Sequence, residues 1–273
     1  MKLNTTIARA LALAGLIGGL TVAARAQTTT TFGFESDTVG DAPAASGAVA
    51  FTVFGDTSVQ STTSFGADAF RSSGSQYLLL TSLDAGNQPF ATSAAGATDI
   101  ATLWSTVYGA QPNLLGSSLS LVSASALQVS VYLGAGSTLA LQGQFFTAEP
   151  TNPSLNPYND AAFVVSSVNG GTASLSTLGT VLGSTFTAAP GSVQAFDSQT
   201  NIFTYNFTAV SSGTYTFLLG VGDASQVGVQ SGLLVDNLTI TAVPEPATTA
   251  LCAGAAMLAL GAACRRLRRA ATA

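Results

Sequence analysis

Leu127-Gln128-Val129-Ser130-Val131-Tyr132-Leu133, then Gly134-Ala135-Gly136-Ser137, then Thr138-Leu139-Ala140-Leu141-Gln142-Gly143-Gln144-Phe145-Phe146 is the stretch that decides the fold. Apolar residues stand at every second position on both sides of a short Gly-containing break. A period of two places one apolar and one polar face on each segment, as a half-buried strand requires. The break at Ala135-Gly136 is read as a tight hairpin turn. Downstream the pattern continues through Ala161–Val168, Phe203–Phe207, Tyr215–Val221 and Leu233–Thr241, with turns at Gly170-Gly171 and Ser211-Ser212-Gly213. Thr151–Asn159, with two prolines and three asparagines, is a loop. Upstream, Leu119–Val122, Gln76–Thr81, the alternating Val49, Phe51 and Val53, and Phe32–Glu35 are read as strands. Thr28–Thr31 is a tether or an early edge, and a short helix over Asp99–Tyr108 is the one helical candidate within this body. Nine or ten strands against one helix predict an all-β protein, an antiparallel β-sandwich. Phe145, Phe146, Phe163, Phe203, Phe207 and Phe217 are expected between its sheets, and Tyr132, Tyr205 and Tyr215 in the core or in cross-strand pairs.

Both ends of the chain read differently from this body. Lys2 and Arg9 precede an apolar stretch, Ala10–Ala23, and Ala24-Arg25-Ala26 offers small residues where a signal peptidase cuts. Residues 1–26 are therefore expected to be a signal peptide, with residues 27–242 the ectodomain. At the other end stand Pro244-Glu245-Pro246, an uncharged run Ala247–Cys264, and Arg265, Arg266, Arg268 and Arg269. Eighteen helical residues at ~1.5 Å each span about 27 Å, just short of a ~30 Å hydrocarbon core. The arginines behind the run predict a cytoplasmic C-terminus, with everything before Pro244 outside. Pro246 can serve as the first residue of that helix, but neither proline can lie in its interior.

Composition excludes several functions. Of eight Lys and Arg residues only Arg71 lies within residues 27–246, against all 13 acids, so that stretch carries a formal charge of −12. One cation cannot neutralise a phosphate backbone, which argues against nucleic acid. Cys252 and Cys264 both fall in the tail, so no disulfide staples the body. The chain has no histidine, which removes Ser-His-Asp and Cys-His catalysis and the usual zinc sites. A carboxylate pair among Glu35, Glu149, Asp160, Asp223 and Asp236 is what remains for an enzyme of glycosidase type. The expectation is no enzyme. Trp104 and Tyr108, four residues apart, would share a helix face and are the candidates for a sugar platform, with core packing as the competing reading.

The Pro-Glu-Pro triplet, single short span and terminal Arg cluster resemble the PEP-CTERM sorting signal of Gram-negative bacteria over residues 243–273. That resemblance implies recognition by an exosortase, passage through the inner membrane, removal or exchange of the tail, and delivery to the cell surface or extracellular matrix. Phe32-Gly33-Phe34-Glu35, Tyr158–Val164 and Gly232–Ile240 are in turn similar to the jelly-roll ectodomains of PEP-CTERM proteins and to carbohydrate-binding-module jelly rolls. This second resemblance implies first and last strands side by side. It also implies a structural calcium ion near their junction, with Glu35, Asp37 and Asp236 as ligands and Asp160 as a further candidate. The expected role is a non-catalytic structural or interaction component. The alternatives are a carbohydrate-binding surface module with extracellular polysaccharide as partner, and a glycosidase.

Overall fold

The computed structural model describes residues 27–44, 49–61, 74–82, 96–152, 154, 158–190, 196–224 and 229–243, together with 254–255, 257–259, 261–262 and 265. Strands β1 (Thr28–Phe32), β2 (Ala50–Phe54), β3 (Asp56–Ser61), β4 (Gln76–Thr81) and β5 (Thr98–Asp99) precede two helices, α1 (Ile100–Tyr108) and α2 (Leu114–Ser118). There follow β6 (Ser123–Leu133), β7 (Thr138–Thr147), β8 (Ala161–Val168), β9 (Ser174–Thr180) and β10 (Phe186–Ala188). The last four are β11 (Ser198–Thr200), β12 (Phe203–Thr208), β13 (Gly213–Asp223) and β14 (Ser231–Ala242). Two antiparallel sheets result. One has the order β10-β11-β7-β14-β4-β3, with β1 also on β14 and β12 also on β7; the other runs β2-β6-β13-β8-β9, with β5 also on β6.

The deciding stretch forms two strands, but they are not a hairpin. β6 pairs with β2, β5 and β13, whereas β7 pairs with β11, β12 and β14. The turn at 134–137 carries the chain from one sheet to the other. Each strand has one strongly apolar face, and burying both is best served by stacking them face to face. Leu127, Val129, Val131 and Leu133 of β6 thus share a core with Leu139, Leu141 and Phe145 of β7, Phe217, Leu219 and Val221 of β13, and Leu233 and Val235 of β14.

The first and last strands lie side by side, with Thr28 opposite Ala242 and Phe32 opposite Leu238. Thr28–Thr31 is therefore edge strand, and Glu35 lies beyond it. Phe145 and Phe217 fill the inter-sheet core as expected, while Phe203 and Phe207 pack half-buried against it. Phe146 and Phe163 correct the expectation by turning to the outer faces. Phe146 joins Tyr77, Leu79, Phe196 and Leu234 on the outside of the first sheet. Phe163 lies beneath the helices on the outside of the second.

Those helices form because their caps and stripes agree. Asp99 caps α1 by accepting from Thr102 N at 3.0 Å, and Asn113 caps α2 by accepting from Gly116 N at 3.0 Å. Ile100, Leu103, Trp104 and Tyr108 make one apolar stripe, set down on Ala124, Ala126, Phe163, Val165 and Leu218. Small residues on the sheet leave the room. A Cβ at Gly220 would lie 2.7 Å from both Phe163 Cζ and the Ser125 carbonyl oxygen. Leu119–Val122, expected as a strand, is instead the exit from α2: Ser120 has φ 58° and Leu121 packs under the helices.

No described helix is long and apolar enough to cross a membrane. Residues 1–26, expected as a signal peptide, and Pro244-Glu245-Pro246 lie outside the described residues, as do Arg266, Arg268, Arg269 and much of Ala247–Cys264. The described tail residues, Arg265 among them, are helical and exposed.

Candidate functional site

Four strand ends from both sheets meet at one end of the sandwich. β7 finishes at Thr147, β8 starts directly after Asp160, β13 ends on Asp223, and β14 begins at Ser231 opposite Thr147. Backbone bonds fix the chain between these ends: Val181 N donates to Asp160 O at 3.0 Å, Val122 N to Asp223 O at 2.8 Å, and Ala148 N to Gln230 O at 2.9 Å. Hydroxyls lock the corner. Ser231 Oγ donates to Thr147 Oγ1 at 3.0 Å, which also accepts from Glu149 N at 2.9 Å, while Ser82 Oγ accepts from Ser231 N at 2.9 Å.

This framework gathers Glu149, Asp160 and Asp223. One carboxylate oxygen from each lies within 4.8 Å of the others. The three residues are 5%, 0% and 6% exposed, so little of the cluster reaches bulk water. Asp160 Oδ1 accepts from Ala224 N at 3.0 Å, and Oδ2 is buried with no hydrogen-bond partner. Burial, then the negative charges of Asp223 and Glu149, push the Asp160 carboxyl up to about 8, well above the usual carboxylate range. The Ser231 hydroxyl beside it offsets this weakly, its proton being directed at Thr147. Asp160 thus holds a proton at neutral pH unless a cation replaces it.

The residues singled out in the sequence are placed as follows. Both oxygens of Glu35 are occupied near the start of β4: Oε1 accepts from Ser75 N at 2.8 Å and Gln76 N at 2.7 Å, and Oε2 from Ser75 Oγ at 3.2 Å. Asp37 Oδ1 accepts from Ala44 N at 3.2 Å. Glu35 and Asp37 line a surface groove with Thr31, Phe34 and Phe51. Asp236 is fully buried in β14 and its Oδ1 accepts from Asn237 N at 2.7 Å, where the ladder to β7 slips and Asn237 takes φ 56°. Five residues of strand separate Asp236 from Ser231, about 17 Å at ~3.3 Å per residue. Asp160 therefore belongs with Glu149 and Asp223 and not with the junction of the first and last strands.

Trp104 and Tyr108 do not form a sugar platform. Both are buried, with ring centroids 4.7 Å apart; Trp104 Nε1 donates to Gln111 O at 2.9 Å and Tyr108 OH to Val165 O at 3.0 Å. Burial raises the Tyr108 hydroxyl above its ordinary range. A helical stripe facing a sheet of small residues is core. Tyr132, expected in the core or in a cross-strand pair, lies outside the core: it is 57% exposed on the outer face of β6, opposite Thr214 on β13.

No family model matches the chain, and no curated protein does. Among solved structures it is similar to the K1 cleaved adhesin domain of Lys-gingipain from Porphyromonas gingivalis, at 12% identity and TM-score 0.39, over 80% of this chain and 99% of that one. It is also similar to the CBM22-1 xylan-binding domain of Paenibacillus barcinonensis Xyn10C, at 11% identity and TM-score 0.33, over 80% and 96%. The Agl-KA catalytic domain matches at 15% identity and TM-score 0.34, over 80% of this chain but 28% of that one. All three likenesses are distant.

Proposed function

We propose that this chain is exported, processed at its C-terminal tail by an exosortase after signal peptidase has removed the leader, and displayed outside the cell as a non-catalytic interaction module. The observation that supports the non-catalytic part is the burial of Glu149, Asp160 and Asp223. Carboxylates that cleave a glycosidic bond must flank the substrate and admit water. These three are enclosed at a strand junction, where they serve the fold. The processing part rests on residues 244–269 as a sequence. Mass spectrometry of surface material is expected to find chains lacking Arg265–Arg269, and replacing Pro244, Glu245 and Pro246 by alanine is expected to trap the full-length form in the membrane. Surface protein with its C-terminus intact in wild-type cells would overturn the reading.

A second, narrower reading takes polysaccharide as the partner, and Tyr132 favours it. On the outer face of β6, Tyr132 stands opposite Thr214, followed by Ser130 opposite Thr216 and then Gln128. An exposed ring beside hydroxyl and amide groups can stack on a pyranose and hydrogen-bond its hydroxyls. Full-length protein on a glycan array is expected to retain one family of sugars, and Tyr132→Ala to weaken that binding about tenfold or more. Equal binding by wild type and Tyr132→Ala, or none by wild type, sinks this second reading.

A further inference from the structure

We infer that Glu149, Asp160 and Asp223 form a calcium site that fastens the two sheets together at the end of the sandwich opposite Thr28 and Ala242. The first ground is spacing. Oxygens sharing one calcium at about 2.3–2.6 Å can stand no farther apart than roughly 5.2 Å. Three here lie within 4.8 Å, one from each of three separate chain segments.

The second ground is Asp160 itself. It is fully buried within the cluster, and Oδ2 has no hydrogen-bond partner. Native proteins rarely leave a buried carboxylate oxygen unpaired, because its desolvation is then uncompensated. A cation supplies what the protein does not. Three carboxylates around one divalent ion leave a single net negative charge, so the ion offsets most of their mutual repulsion.

The donor set selects the metal. All three side chains offer oxygen, and nothing in residues 27–242 offers a histidine or cysteine, so a soft or borderline ion such as zinc has no preferred ligand. Three carboxylates supply between three and six of the six to eight oxygens that calcium takes, and calcium accepts irregular geometry where magnesium demands an octahedron. The site differs from one between Glu35 and Asp236, because Glu35 already accepts three hydrogen bonds and Asp236 lies far along β14.

The test uses full-length protein in detergent near pH 8, melted with millimolar calcium, with magnesium, and with chelator. Calcium is expected to raise the melting midpoint by roughly 5–10 °C over chelator, and magnesium by much less. Asp160→Asn keeps shape and removes the charge, so it folds without the ion. It should melt higher than wild type in chelator and no longer respond to calcium. Asp223→Asn should also lose the response, and Asp236→Asn should retain it. Identical wild-type melts in calcium and chelator would overturn the site. So would a calcium response that survives Asp160→Asn and disappears with Asp236→Asn.

Discussion

Replacing Phe163 by alanine is expected to cost about 3–5 kcal/mol, the range for deleting a fully buried aromatic ring. Phe163 is completely buried at the centre of the cluster that seats α1 and α2 on the outer face of the second sheet. The cavity cannot collapse easily. Trp104 is held through its indole N–H to Gln111 O and Tyr108 through its hydroxyl to Val165 O, so the helix cannot sink into the space. From the other side, Gly220 has no side chain with which to fill it. For a domain of this size the midpoint should fall by roughly 6–20 °C. Trp104 is the sole tryptophan, so its emission reports on the same cluster and should shift to the red. A loss below about 1 kcal/mol with unchanged emission would show that the helices are not packed on the sheet as described.

Without calcium, stability is expected to fall as pH rises from about 4 to about 8. Asp160 is the reason. Its folded value is raised to about 8 from an ordinary 3.8. Below pH 4 both folded and unfolded chains bind this proton, and its contribution is fully favourable. Between the two values the unfolded chain releases the proton while the folded chain retains it, so unfolding gains up to about 1.4 kcal/mol per pH unit. Glu149 and Asp223 face the same space and strengthen the trend, since their charges are what Asp160 would have to join. Asp99 works in the opposite sense. The Thr102 N–H that it caps holds its carboxylate below the usual value, so its contribution is lost as pH falls through that lowered value. Urea midpoints in chelator should therefore decline from pH 4 to pH 8, and decline less in Asp160→Asn. Parallel slopes in the two proteins would show that another group carries the effect.

Strands were legible where the apolar pattern was strong. β4 and β8 fall on the expected residues because QYLLLT and AAFVVSSV are dense in large apolar side chains. β3 and β9, DTSVQS and SLSTLGT, escape such reading because their partners, and not their own side chains, hold them in place. The turn at 134–137 had the composition of a hairpin, and only the distribution of partners shows that it crosses between sheets. The site was legible as an inventory and not as a place. Glu149, Asp160 and Asp223 were among five candidate acids, yet Asp160 and Asp223 stand 63 residues apart in the chain. Their meeting depends on β8 and β13 being antiparallel neighbours, with Ala161 opposite Gly222.

The position of β14 has a mechanical consequence. It leads directly into residue 243, and it is hydrogen-bonded along both edges, to β7 on one side and to β4 and β1 on the other. A pull applied through residue 243 against an anchor at the Ser231 end of the sandwich therefore runs along the strand axis and loads many ladder bonds at once, in shear, instead of peeling them one after another.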